Sequence, residues 1–193
     1  MTRVVAGRWG GRSLRTPRGA TTRPTAEKIR AALGNALAAG GALEDAVVLD
    51  LYAGSGALGL ELVSRGARRA VLVERDRAAL AALRENATAL GGDLQVVAAD
   101  VTGWAAGPGP GDVGPFDVVV ADPPYAVSDA ELCAVIADLG AAGSLSRGAD
   151  LVVERGVVRG APVGADTFAW PAPVVPDREK RYGDTVLCYG RWP

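Results

Sequence analysis

"DLYAGSGALGLEL", residues 50 to 62, runs from a short apolar segment ending near a carboxylate, through spaced glycines, into leucines at helical spacing. Gly54, Gly56 and Gly59 satisfy the pattern G-x-G-x-x-G between a strand and a helix. Glycines there permit a tight turn and a close approach of backbone to ligand, and an acid some twenty residues on can bind ribose hydroxyls. Glu74 stands at that distance.

Two cofactor classes share this spacing. A nicotinamide dinucleotide would bring a pyrophosphate to the helix N-terminus, where Asp50, just before the glycines, would repel it. S-adenosylmethionine has no phosphate but carries a sulfonium, an α-ammonium and a ribose diol, all of which suit a carboxylate. The acid favours the second class.

Outward from this loop the chain alternates. "AVVLDLYA", "RAVLVERD", "LQVVAAD", "FDVVVADPP" and "DLVVERG" are short β-rich runs, separated by mostly helical segments. Such alternation predicts a parallel sheet with crossover helices. One helix is expected near Asp76, carrying Leu80, Leu83 and Leu90; another follows a Ser128/Glu131 capping box and carries Leu132, Val135, Ile136 and Leu139. Residues 103 to 115, rich in Gly and Pro, read as a connecting loop, and "GADTFAW" and "DTVLCYGRW" read as two final strands paired antiparallel.

The length of 193 residues and the 49% hydrophobic content suit one domain with a sizeable core. No apolar run is long enough for a membrane span, and the opening "MTRVVAGRWGGRSLR" has no apolar signal core, so a cytoplasmic location is expected. The chain has no histidine, and Cys133 and Cys188 are far apart, so no metal is expected; both thiols read as core residues.

Net charge is −1, but the first thirty residues hold Arg3, Arg8, Arg12, Arg15, Arg18, Arg23, Lys28 and Arg30 against Glu27 alone. That asymmetry suggests a basic arm for a polyanion. Within it, "RPTAEKIRAALGNAL" predicts a helix with Thr25 as N-cap and Ile29, Leu33 and Leu37 as its apolar stripe, leaving Lys28 and Arg30 off the stripe and open to a ligand.

Asp50, Glu74, Asp100, Asp122 and Glu154 each fall at or near the end of a predicted strand, where an open parallel sheet borders its ligand crevice. Any one of them could simply cap a helix; together they ask for a ligand rich in donors and positive charge. Asp122 opens "DPPY", residues 122 to 125. Here the chain resembles the amino-methyltransferases, class I S-adenosylmethionine enzymes with a D/N/S-P-P-Y/F motif after the fourth strand. The resemblance implies that the Asp122 carboxylate and the Pro123 carbonyl accept hydrogen bonds from an exocyclic amine, that Pro123 and Pro124 fix the backbone, and that Tyr125 stacks on the base.

Beyond these widely shared motifs, "RVVAGRWGGRSLRTP", "TRPTAEKIRAALGN", "VLVERD" and "KRYGDTVLCYGRW" resemble the small-subunit (16S) ribosomal RNA guanine-N2 methyltransferase family over almost the whole chain. Gly34 departs from it, because an apolar or aromatic residue is expected before Asn35. The resemblance implies a Rossmann-like class I methyltransferase fold: a seven-stranded, mostly parallel sheet with helices on both faces, spanning residues 41 to 193 behind a basic N-terminal extension of residues 1 to 40. It implies contacts to S-adenosylmethionine from Asp50, Tyr52, Ala53, Gly54, Ser55, Gly56, Glu74, Arg75, Asp100, Val101 and Asp122. It further implies RNA contacts from Arg3, Arg8, Arg12, Arg23, Lys28 and Arg30, and from Lys180 and Arg181 in a basic "REKRYG" loop. The expected partner is small-subunit ribosomal RNA, or an assembling 30S particle, bound by a monomer.

Other readings stay open at this point. A DNA adenine-N6 methyltransferase shares DPPY but normally needs a target-recognition region that the rest of this chain hardly supplies. A nicotinamide oxidoreductase shares the glycine loop without accounting for DPPY. A noncatalytic RNA-binding assembly factor on the same fold would bind RNA without turnover.

Overall fold

The computed structural model describes residues 2–17, 24–157 and 168–193, without the side chains of Pro24 and Thr25. In chain order its elements are β1 (Thr2–Arg3), β2 (Ser13–Leu14), α1 (Pro24–Ala39), β3 (Val47–Leu51), α2 (Ala57–Ser64), β4 (Arg69–Glu74), α3 (Arg77–Leu90) and β5 (Asp93–Ala98). There follow α4 (Val101–Ala105), α5 (Gly109–Val113), β6 (Phe116–Ala121), α6 (Asp129–Ala141), β7 (Leu145–Gly156), β8 (Val175–Tyr182) and β9 (Thr185–Arg191).

Seven strands form one sheet in the order β5-β4-β3-β6-β7-β9-β8. β3 to β7 are mutually parallel, and β9 runs antiparallel to both β7 and β8. From β3 the chain moves outward through β4 and β5 in one direction, then returns to β6 and β7 in the other. The topological switch therefore lies between β3 and β6, where open α/β sheets bind ligands beyond the strand ends. One of those ends leads into the glycine loop and the other into DPPY.

All five residues of β3 are buried, as a strand covered on both faces requires. Val48, Leu72, Val118 and Val120 face one core, shared with Ile29, Leu33 and Leu37 of α1, Leu60 of α2 and Leu83 of α3. Their sequence neighbours Leu49, Val71 and Val119 face a second core with Leu132, Val135, Ile136 and Leu139 of α6. The helix starts follow local chemistry. The Asp76 side chain accepts the Ala78 and Ala79 amides at 3.0 and 2.8 Å, and Ser128 with Glu131 closes the expected capping box.

The described part of the N-terminal segment packs into the first core through Val4, Trp9 and Leu14. Glu61, wholly buried in α2, fastens it by accepting the Val5 and Ala6 amides at 2.6 and 3.1 Å. Arg65 completes that carboxylate's surroundings at 2.7 Å. Gly34 has its reason here, since a Cβ would come within 2.6 Å of Arg65 Nε. The missing side chain lets Arg65 cross α1 to reach Asn35 at 2.6 Å.

Several local expectations need correction. The helix begins at Pro24, which puts Thr25 inside its first turn rather than at the N-cap. The loop expected over residues 103 to 115 holds most of α4 and all of α5; Asp100 caps the first of these by accepting the Gly103 amide. Of "GADTFAW", residues 164 to 167 lie outside the described residues, and Phe168 to Trp170 form no strand. β9 pairs instead with β8, whose sequence "VPDREKRY" has no apolar alternation because it is the exposed edge. Charges and a proline are what an edge strand tolerates. Lys180 and Arg181 accordingly lie on a strand and not in a loop. Cys188 is buried, whereas Cys133 is only partly so. Among the described residues no helix is long and apolar enough to cross a membrane.

Candidate active site

At the carboxyl ends of β3, β4, β5, β6 and β7 opens a cleft of about 1420 Å³. Tyr52, Gly54, Glu74, Arg75, Asp100 and Val101 line one part of it, and Asp122, Pro123, Pro124 and Tyr125 line another. Its volume exceeds that of a typical single-ligand pocket, roughly 300–1,000 Å³. Two ligands can therefore meet in it.

The glycine loop is shaped by left-handed backbone. Tyr52 (φ 61°), Gly54 (φ 57°) and Gly56 (φ 82°) alternate with ordinary residues, and a tyrosine in that region stores strain of the kind found at ligand sites. A Cβ on Gly54 would meet nothing within 4 Å, so the loop turns its bare backbone toward open space. Gly56 serves packing instead, because a Cβ there would strike Leu83 at 2.3 Å. Ala53, Ser55 and Gly56 form the loop but do not line the cleft.

Glu74 is held by backbone. One carboxylate oxygen accepts the Gly54 amide at 2.8 Å and the other accepts the Arg75 and Asp76 amides, each at 2.7 Å. Asp100 accepts the Gly103 amide and pairs with Arg75 at 2.7 Å. Those contacts, the Gly103 bond first, hold its carboxyl below the usual range and keep it ionised. Burial raises the pKa of the Tyr52 phenol.

Asp50 does not reach the cleft. It is 2% exposed, and its carboxylate accepts the Gly59 amide at 2.8 Å, which ties β3 to the first turn of α2. A buried backbone donor captured the carboxylate that sequence spacing assigned to a ligand. Burial, opposed by the Gly59 bond and reinforced by the charges of Asp122 and Glu74, pushes its pKa up to about 7.

On the DPPY side of the cleft, Val127 N–H closes a turn onto the Pro124 carbonyl at 2.9 Å. Arg155, from β7, donates to the Val127 carbonyl at 3.1 Å and pairs with Asp129 at 2.6 Å. Tyr125 is 77% exposed, and its ring lies over Gly156. The sequence named neither Arg155 nor Gly156 as a site residue, although it singled out Glu154 beside them, and the β8–β9 turn residues Gly183 and Asp184, which also line the cleft, entered only within the closing motif. Their distance along the chain from DPPY conceals them until β7 pairs with β6.

The basic residues divide. Arg3, Arg8, Arg12, Lys28, Lys180 and Arg181 are exposed. Ala26 and Ile29 of α1 and the β8–β9 turn reach the cleft rim, so Lys28 and Arg181 are close to it in sequence and structure. Arg23 lies outside the described residues. Arg30 is a correction: only 9% exposed, it donates to the Arg3 carbonyl at 2.7 Å and faces Glu61 at 3.9 Å. The buried carboxylate draws it inward, where it cannot meet a phosphate.

The chain is 41% identical over 124 residues to ribosomal RNA small subunit methyltransferase D of Escherichia coli, an alignment covering 64% of this chain and 60% of that protein. Among solved structures, yhhF of Escherichia coli, a candidate methyltransferase, superposes with a TM-score of 0.80 at 33% identity over 98% of this chain and 97% of the other. A hypothetical protein of Thermus thermophilus gives 0.77 at 30% identity, covering 98% of each chain. The mostly parallel α/β sheet expected from the alternating strands is the fold these neighbours share, and the name of the Escherichia coli relative, a small-subunit ribosomal RNA methyltransferase, agrees with the family that the opening and closing motifs resemble. Residues 2–191 match the family described as conserved hypothetical protein 95, and the chain belongs to that family.

Proposed function

We propose that the protein transfers a methyl group from S-adenosylmethionine to the exocyclic N2 of a guanine in small-subunit ribosomal RNA. One observation carries this reading: Asp122, Pro123, Pro124 and Tyr125 share a cleft with a glycine loop ringed by carboxylates. The donor set fits the cofactor. Glu74 suits a ribose diol, Asp100 and Val101 suit the adenine end, and the bare Gly54 backbone admits the methionine portion. A pyrophosphate at the Gly54 backbone would meet the Glu74 carboxylate, and Arg75, which lines the same part of the cleft, is paired with Asp100. The choice of guanine N2 over adenine N6 rests on the resemblance carried by the opening and closing motifs, and the names of the relatives support a small-subunit ribosomal RNA substrate.

S-adenosylmethionine supplies an electrophilic methyl on a sulfonium. This chain's residues supply orientation. The Asp122 carboxylate and Pro123 carbonyl draw the two N2 hydrogens toward themselves, turning the nitrogen toward a tetrahedral arrangement and freeing a lone pair otherwise delocalised into the ring. With the cofactor bound, the N–CH3 bond would form as the S–CH3 bond breaks, and S-adenosylhomocysteine would be the leaving product. Positive charge develops on N2 beside Asp122, whose carboxylate oxygen can take the departing proton. Holding the two reactants in line supplies much of the rate. The base must be unpaired or extruded, and Tyr125 then stacks on it.

The exposed basic residues of the N-terminal segment, α1 and β8 serve as phosphate contacts, with Lys28 and Arg181 nearest the cleft and Arg8 beyond the far end of α3 beside Gly92. The particle acted on is an assembling 30S subunit, and the enzyme works as a cytoplasmic monomer. The test is incubation with methyl-labelled S-adenosylmethionine and small subunits from cells lacking the gene, followed by nucleoside analysis. Label in N2-methylguanosine is expected. Label in N6-methyladenosine would overturn the acceptor, and binding of both ligands without label would favour a noncatalytic assembly factor.

A further inference from the structure

Asn86 sits in α3 with 3% of its surface exposed, at a place where packing alone would favour an apolar side chain. Its amide is fully used. Oδ1 accepts the Arg15 N–H at 2.7 Å, and Nδ2 donates to the Arg15 carbonyl and the Ser55 carbonyl, both at 2.9 Å. Arg15 is thereby held as a strand residue is held by its neighbour. Ser55 lies between Gly54 and Gly56 in the glycine loop. A single buried amide thus joins the basic N-terminal segment to the loop at the cofactor end of the cleft.

The rest of the segment runs along the same helix. Arg12 Nη2 donates to the Ala89 carbonyl at 3.2 Å, and Arg15 Nε lies 3.6 Å from Glu85. Beyond the helix end, Trp9 closes over Gly92, where a Cβ would come within 3.3 Å of the indole, and Arg8 stacks on that indole at 4.3 Å. A shift of the loop that moves the Ser55 carbonyl must either break an Nδ2 bond or turn the Asn86 amide, and turning it moves Arg15. Leaving any of these partly buried groups unpaired is costly, so the three groups favour moving together.

We infer that Asn86 is a positioning residue that couples the cofactor loop to the basic segment, so that occupancy of the cofactor site orders the surface that meets RNA. The inference rests on the proposed function for the identity of both ligands. Linkage makes the coupling reciprocal: RNA that orders the segment tightens cofactor binding by the same factor. No displacement of the sheet is required, because ordering one site lowers the cost of ordering the other.

The test uses the full chain, with S-adenosylhomocysteine as the probe and no RNA. Calorimetry first establishes binding, and amide hydrogen exchange is then followed across residues 2–17 with and without the probe. In the unmodified protein, saturation is expected to slow exchange at Arg15 and its neighbours by roughly tenfold. Asn86→Asp keeps the acceptor for the Arg15 amide but loses both donated bonds, and should bind the probe with less than a twofold change in exchange over the segment. A purely packing role would lower thermal stability yet leave the transmitted protection intact, which would overturn the inference. So would a lack of protection in the unmodified protein, whatever becomes of the variant. Failure of the probe to bind at all would overturn the proposed function, and the coupling with it.

Discussion

The Glu74 carboxylate accepts the Gly54 amide at 2.8 Å, fastening the loop after β3 to the end of β4 across the floor of the cleft. Glu74 therefore both shapes the loop and presents charge to a ligand. Glu74→Gln replaces one acceptor oxygen by a donor and cannot serve the Gly54, Arg75 and Asp76 amides together. A charge-assisted bond of about 1.5–3 kcal/mol is lost. S-adenosylhomocysteine affinity should fall roughly 10- to 100-fold by calorimetry, and an unchanged affinity would detach Glu74 from the cofactor.

Asp50 should make the fold sensitive to pH. Its native pKa of about 7 lies above the unfolded value, roughly 3.9. The native state therefore binds the extra proton between those values. The contribution to stability is complete below about pH 4, declines as pH rises, and is lost once pH passes about 7. Asp50→Asn keeps an acceptor for the Gly59 amide without the charge. The gain in melting temperature of the variant over the parent should be small near pH 5 and largest near pH 8. A gain independent of pH would show that Asp50 is not the titrating group.

Much of this site was legible because α/β folds place chemistry where hydrophobic runs stop. The ends of "AVVLDLYA" and "FDVVVADPP" bracket the topological switch, and each carries its motif on the residues just past the strand. Periodicity also found the faces of α3 and α6, since burial selects the residues that it reads. What stayed hidden depends on partners distant in sequence. Arg30 looks like a free cation until Glu61 is found beneath it, and Asp50 looks like a ligand contact until Gly59 is found beside it. β8 escaped because an exposed edge strand buries nothing on which a period could register.

Arg155 should govern the acceptor loop. Its guanidinium spans from the Val127 carbonyl to Asp129, bracing the turn that follows DPPY. Arg155→Met keeps the length and removes both contacts. Turnover should drop about tenfold through lost alignment, while S-adenosylhomocysteine affinity stays within about twofold, because the cofactor half of the cleft does not rest on this brace. A larger loss of cofactor affinity than of turnover would contradict that division.

The exposed cations should be visible in salt dependence. Replacing Arg8, Lys28 and Lys180 by Ala removes three candidate phosphate contacts, from the β1–β2 connection, α1 and β8. For single-stranded RNA each contact contributes about 0.7 to the slope of log K against log salt, so the slope should flatten by about 2. Weaker binding with an unchanged slope would mean that these residues do not neutralise phosphates.

Gly156 should matter through Tyr125. A Cβ at residue 156 would approach the Tyr125 Cε1 to 2.7 Å, but the ring is 77% exposed and free to swing aside. Gly156→Ala should therefore fold with nearly unchanged melting temperature and displace the ring from its place beside DPPY. If stacking on the extruded base is its role, the effect should approach that of Tyr125→Ala, a loss of about 1–3 kcal/mol in target binding. Tyr125→Phe should retain activity, since stacking uses the ring and not the hydroxyl. Single-turnover assays with saturating cofactor separate these outcomes: Gly156→Ala and Tyr125→Ala should both need more RNA to reach half-maximal rate. A defect in Tyr125→Phe equal to that in Tyr125→Ala would assign the function to the hydroxyl instead.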